Sequence, residues 1–207
     1  MKGDYFFKRP FDILLASIGL LLSLPLWVVV AAAIFIEDGR PIFYASGRVG
    51  KGGKIFKALK FRTMIRESDS VFGPLQAGED DERVTAVGKV IRPLAVDELP
   101  QLWSIFRGDM SFVGPRALLP NEIELKNGGE ESIPLERVPG YSKRQSMRPG
   151  LTGVAQIYAP RDIIRKNKFR YDLLYIKKSG FFLDLGLILL SFWITLRGKW
   201  ETRTKKF

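Results

Sequence analysis

The chain has 207 residues, enough for one domain with a real core or for one domain plus a membrane segment. It contains no cysteine and no histidine, which excludes a disulfide framework, thiolate metal sites and any imidazole base or thiol nucleophile. A net charge of +11 favours anionic partners: nucleic acid, nucleotides or an anionic membrane surface.

The apolar residues are unevenly spread, which points to a membrane surface rather than to nucleic acid, so no nucleic-acid partner is expected. Ile13 to Ile36 carries no charged residue and is long enough to cross a hydrocarbon layer of roughly 30 Å. Lys8 and Arg9 precede it, and Arg40 to Arg66 follows with eight Lys or Arg and no acid. Positive charge on both flanks satisfies the positive-inside rule only if both ends are cytoplasmic. Pro25 lies mid-run, where it removes one hydrogen bond, and Ser23 can satisfy backbone groups released there. A break at Ser23 and Pro25 is expected, giving a re-entrant helix-break-helix over residues 1–39. The alternative is a straight spanning helix with a tolerated proline.

Pro41 to Tyr44 and Lys54 to Thr63 read as β-like runs separated by glycines, forming a small hairpin or ribbon. Lys57, Lys60 and Arg62 are interleaved with Phe56, Leu59 and Phe61, which makes them candidates for phosphate contact. Ser68 to Arg83 reads as a polar loop in which Asp80, Asp81 and Glu82 hold a cation or are simply solvated. Asn121 to Gly140 reads as another loop-rich stretch. No repeat is visible, and no linker separates two domains. Phe181 to Leu196 is apolar but interrupted by Asp184, and it is short for a span. It fits either an interfacial helix with Phe181, Phe182, Trp193 and Trp200 near headgroups, or a buried core helix.

The chemistry concentrates between Leu94 and Arg116. Asp97 and Glu98 are neighbours, so on a helix they would diverge by about 100°. At a helix start, Asp97 suits the N-cap and Pro100 the first turn, where the dipole favours carboxylates and phosphates. An ordinary acidic cap reads the same way. Arg92 precedes the pair, and Arg107 and Arg116 lie beyond the helix expected at Leu99 to Phe106. Carboxylates beside arginines suit phosphate handling, with Mg²⁺ bridging carboxylate and phosphate oxygens. Near Arg148, Pro149, Gly150 and Gly153 suggest a tight backbone nest for an anion.

Together these motifs resemble the bacterial sugar transferase family, the monotopic phosphoglycosyl transferases. The likeness runs from Lys8-Arg9-Pro10-Phe11-Asp12 to about Leu196, through KIFKALKFRTM at Lys54–Met64, VDELPQL at Val96–Leu102, GDMSFVGPR at Gly108–Arg116 and RPGLTG at Arg148–Gly153. The resemblance implies an α+β, mainly helical fold with a re-entrant membrane helix, interfacial helices and a small sheet. Residues 40–207 would form one catalytic unit on the cytoplasmic face of the bacterial inner membrane. It implies transfer of a sugar phosphate from a UDP-sugar to undecaprenyl phosphate, with Mg²⁺ and release of UMP. Asp97 would attack the sugar-linked phosphorus and form a covalent intermediate, and Glu98 would help hold the metal beside it. Lys60, Arg92, Arg116 and Arg148 are the expected phosphate contacts; Val154, Gln156 and Arg161 fall in the region of sugar or nucleotide selection. Membrane lipids and a second copy of the chain are further expected partners.

Two departures stand out. The family often has Pro-Arg-Pro where this chain has Pro115-Arg116-Ala117, and a bulky aromatic where it has Val154. The chain resembles the short form, without extra membrane helices. A basic membrane-binding adaptor without catalysis is the rival expectation.

Overall fold

The computed structural model describes residues 4–66, 81–126, 131–160 and 163–197. Its first element is helix α1, Lys8–Asp38, 31 residues long and about 46 Å from end to end at 1.5 Å per residue. Lys8, Asp12, Ala16, Val30 and Ile34 are buried along one stripe of it. Around the rest, Leu14, Leu21, Leu22, Val28, Val29 and Ile36 are exposed. Only 11% of its most apolar 18-residue window is buried, so this is no ordinary core helix. By length and composition it can cross a membrane.

The break expected at Ser23 and Pro25 is absent from the secondary structure, because α1 continues through Pro25. Ser23 Oγ donates to Leu20 O at 3.3 Å. A proline removes one N–H donor only. Here the packing of Trp27, Val30 and Ile34 against Phe61 and Ile91 carries the helix past it.

Strands β1 (Phe43–Val49) and β2 (Ile55–Phe61) form the expected antiparallel hairpin, in register from Phe43 opposite Phe61 to Val49 opposite Ile55. Then come α2 (Ala86–Ile91), a 3-10 turn at Val96–Glu98, α3 (Gln101–Arg107) and β3 (Ser111–Val113). Strands β4 (Ile123–Lys126) and β5 (Glu131–Pro134) pair antiparallel where the sequence reads as a loop, so that expectation is corrected. Glycines and prolines there punctuate two short strands rather than one irregular stretch. Helix α4 (Tyr141–Arg144), strand β6 (Gly150–Thr152) and helices α5 (Val154–Tyr158), α6 (Arg165–Lys178) and α7 (Phe181–Leu196) complete the chain.

Both readings of α7 find a face. Leu187 and Ile194 join a core cluster with Val113, Met147, Ile157, Tyr175 and Ile176, while Phe182, Leu189, Phe192, Trp193 and Leu196 are exposed. That is the division an interfacial helix requires. Its Asp184 is buried rather than solvated, held by Lys8 Nζ at 2.5 Å and by Tyr175 OH at 2.8 Å. Trp200 lies outside the described residues.

Both ends of α1 are bonded to the same body. At its start Asp12 accepts from Ser111 Oγ and Phe112 N, each at 3.1 Å, beside the Lys8–Asp184 pair. At its finish the Glu37 carboxylate accepts from Ala86 N at 2.6 Å and Val87 N at 3.0 Å, meeting the unsatisfied donors of α2. Arg62 donates to Asp38 O and Gly39 O, each at 3.0 Å, and pairs with the Asp38 carboxylate at 2.9 Å.

Candidate active site

Asp97 and Glu98 sit between α1 and the hairpin. Ala95 takes a left-handed conformation, φ 51°, which turns the chain sharply out of α2. The 3-10 turn that follows is anchored by its neighbours: Val96 and Leu99 pack on the cluster of Val30, Ile34, Phe61 and Ile91. Leu99 also reaches the cluster of Ala16, Leu102, Ile105 and Met110. Asp97 is therefore not the N-cap of α3, as the sequence suggests. Pro100 holds that position, and the dyad lies in the turn before it.

Lys60 bridges the pair. Its ammonium is 3.6 Å from Asp97 Oδ2 and donates to Glu98 Oε1. Asp97 is 8% exposed, and burial pushes its carboxyl up to about 6 against the pull of Lys60 and Arg92. Glu98 moves the other way. Burial pushes it up, but Lys60, then Arg116 and Arg48, outweigh that and hold it below the usual carboxylate range. Neighbouring carboxylates with opposite shifts are suited to different tasks.

An open cleft adjoins the dyad on the Glu98 side. The β-pleat supplies one wall. Ser46 and Arg48 alternate onto the face of β1 that Ala58 and Lys60 occupy on β2. Glu98, Gln101, Arg116, Gly150 and Gln156 line the rest. Asp97 itself is not a lining residue; its carboxyl stands behind the rim, reached through Lys60.

Two glycine motifs close the cleft floor. Strand β3 pairs with β6 in parallel, Ser111 opposite Gly150 and Val113 opposite Thr152. A Cβ on Gly150 would lie 2.0 Å from Gly114 N, and one on Gly153 would lie 2.2 Å from Gly114 O. Backbone must therefore touch backbone here. The Gly150 amide donates to Pro115 O at 2.9 Å, so the anion nest expected near Arg148 is instead a closed strand contact.

The other expected residues divide. Arg116 is exposed at the cleft, and Arg92 is close enough to pull the Asp97 carboxyl down. Arg148 turns away, donating to Gly108 O at 2.8 Å and to Asp4 Oδ2 at 2.8 Å. Arg62 is spent on the end of α1. Lys57 is exposed, three residues from Lys60 and so on the opposite face of the strand. Arg107 pairs with Asp109 at 3.4 Å. Gln156 lines the cleft, donating to Gly150 O at 3.4 Å, whereas Val154 packs on the core cluster around Val113. Arg161 and Asp80 lie outside the described residues, and the Asp81 carboxylate is taken by Arg83 Nε at 2.8 Å and Nη2 at 2.6 Å. Arg48 and Gln101 were not evident from sequence. The signal for Arg48 was its even spacing from Ser46 along β1, legible only once the hairpin register is known.

Among the described residues no three His, Cys, Asp or Glu gather as a metal cage. Asp97 and Glu98 make a two-carboxylate set beside a cationic cleft. That fits Mg²⁺, which is commonly held by one or two carboxylates together with phosphate oxygens and water.

Residues 3–198 match the profile described as bacterial sugar transferase. Exopolysaccharide production protein ExoY of Rhizobium meliloti is 37% identical over 195 residues, covering 87% of this chain and 81% of its own length. UDP-glucose:undecaprenyl-phosphate glucose-1-phosphate transferase of Klebsiella pneumoniae is 38% identical over 191 residues, 89% of this chain and 39% of its own. UDP-N-acetylgalactosamine-undecaprenyl-phosphate N-acetylgalactosaminephosphotransferase of Aeromonas hydrophila is 37% identical over 196 residues, 93% and 44%. The chain thus spans most of ExoY and less than half of the two longer transferases.

Proposed function

The chain belongs to the bacterial sugar transferase family, and from that we propose that it transfers a sugar 1-phosphate from a UDP-sugar to undecaprenyl phosphate, an initiating step of glycoconjugate assembly. The observation that carries this reading is the Asp97–Lys60–Glu98 cluster, set at a cleft that also holds Arg48 and Arg116.

The Asp97 carboxylate attacks the phosphorus that bears the sugar. The bond to the bridging oxygen breaks, UMP leaves with its electron pair, and an aspartyl phosphosugar remains. An oxygen of the lipid phosphate then attacks the same phosphorus and frees Asp97. Two displacements replace one difficult transfer, which is the gain of covalent catalysis. Lys60 steers the carboxylates and, with the arginines, screens the diphosphate charge. Bound Mg²⁺, held by Glu98 and Asp97, would supply further neutralisation of that charge.

Helix α1 supports a membrane placement. An apolar helix whose two ends bond one body supports a monotopic protein dipping into the inner membrane from the cytoplasmic face. The test is to incubate the purified protein with Mg²⁺, undecaprenyl phosphate and a panel of UDP-sugars and to measure UMP. Release with at least one sugar, lost in Asp97→Asn, is the expected result. Equal release by parent and Asp97→Asn would overturn it.

A further inference from the structure

Most cations near the cleft are spoken for: Lys60 by Glu98 and Asp97, Arg62 by Asp38, Arg148 by Asp4. Arg48 is one that is not. It is half-buried, lines the cleft, and forms no hydrogen bond or ion pair with any described residue. The Arg116 guanidinium shares that cleft and likewise has no bonded partner among the described residues. The carboxylate that shares the cleft with these two guanidinium groups, Glu98, is bonded to Lys60, so the pair leaves positive charge there that a bound phosphate can meet. Burial, then the nearby Arg116 charge, push the Arg48 guanidinium below its ordinary value against the pull of Glu122 and Glu98.

The half made by Arg116 is also built in advance. Behind it, Arg144 donates through Nη2 to Arg116 O at 2.5 Å and through Nε to Asp172 Oδ2 at 3.0 Å. The ion pair is 4% and 3% exposed, and the Arg144 guanidinium lies 4.6 Å from the centre of the Phe169 ring. The register separates the cationic ends of the hairpin wall. Lys60 stands opposite Tyr44, four residues from Arg48 on β1, or about 13 Å of strand at 3.3 Å per residue.

We infer that Arg48 and Arg116 form a second phosphate subsite, which takes the phosphate that departs with the nucleoside. The inference rests on the transferase reading for which phosphate lies where. The attacked phosphorus must sit at the Asp97–Lys60 end, so the neighbouring phosphate of the same diphosphate extends toward Arg48. As the bridging bond breaks, that phosphate keeps the oxygen and its electron pair and gains charge. Guanidinium groups aimed at it stabilise the departing nucleotide.

The test is calorimetric titration of the full chain in detergent micelles with UMP, uridine and inorganic pyrophosphate. Arg48→Met is expected to weaken UMP and pyrophosphate binding by about 10- to 100-fold, the usual range for a lost charge-assisted hydrogen bond, and to leave uridine unchanged. Arg48→Lys should fall between the two, and it serves alone if Arg48→Met loses its circular dichroism signal. Unchanged UMP and pyrophosphate affinity in a folded variant, or a parent chain that binds neither ligand, overturns the subsite. If the parent releases no UMP from any UDP-sugar while Arg48→Met still loses UMP affinity, the subsite stands and the transfer reading falls. UMP release by the parent with undiminished UMP affinity in Arg48→Met gives the reverse.

Discussion

Asp97 is held in a state of unequal pulls. Burial raises its carboxyl to about 6, above the ordinary 3.8, while Lys60 at 3.6 Å opposes that rise. A folded value above the unfolded one gives a definite sign: the stability carried by the protonated carboxyl is intact below about pH 4 and is lost as pH rises through about 6. Asp97→Asn, melted in chelator, should therefore match the parent at pH 4 and exceed it at pH 7.5, by at most about 3 kcal/mol. A parent that gains stability relative to the variant as pH rises would contradict this. Lys60 has the opposite balance, since it satisfies two carboxylates at once. Lys60→Met should cut UMP release by at least about 100-fold, a loss of about 3 kcal/mol in transition-state stabilisation. Steady-state rates on a protein with parental circular dichroism check this. At this scale the sequence was only partly legible. The dyad and Lys60 could be read from spacing and motif. The separation of Arg48 from Arg62 and Arg148 could not, because nothing local says which arginine meets the end of α1 or Asp4 and which meets empty space.

Elements divide in the same way. The hairpin and the long apolar helix follow from local pattern and glycine punctuation. The parallel pairing of β3 with β6 joins segments far apart in sequence, and strands of three residues carry too little alternation to announce themselves. So RPGLTG looked like an anion nest, when its glycines serve close backbone contact with Gly114. Gly150→Ala would place a methyl group 2.0 Å from Gly114 N. It is expected to cost more than about 3 kcal/mol in stability and to abolish UMP release, as seen by denaturant titration and activity assay. Gly186→Ala, in α7 with nothing within 4 Å of the new methyl, should instead stabilise by about 0.5–1 kcal/mol. Opposite signs from one substitution type separate backbone contact from simple helix propensity.

The whole molecule is organised around α1. Its apolar flank faces outward, its buried stripe supports Val96 and Leu99 on either side of the dyad, and both its ends are fastened to one body. Charge on both flanks gives the expectation that the two ends share one side of a membrane, and the unbroken helix through Pro25 is the alternative to the expected break, since tertiary packing overrides one lost hydrogen bond. The chain has no native cysteine, so Phe7→Cys and Arg40→Cys report cleanly on the two ends. In inverted inner-membrane vesicles both should react with an impermeant maleimide, and in intact spheroplasts neither should. Labelling of the two from opposite sides would make α1 a span. The central claim is that Asp97 carries the sugar phosphate between nucleotide and lipid. Intact-protein mass spectrometry, after mixing with Mg²⁺ and the active UDP-sugar without lipid, tests it most directly. A mass increase of one sugar phosphate, located on Asp97 and discharged by undecaprenyl phosphate, is the expected result. Product formed in a single turnover with no adduct on that residue would contradict it.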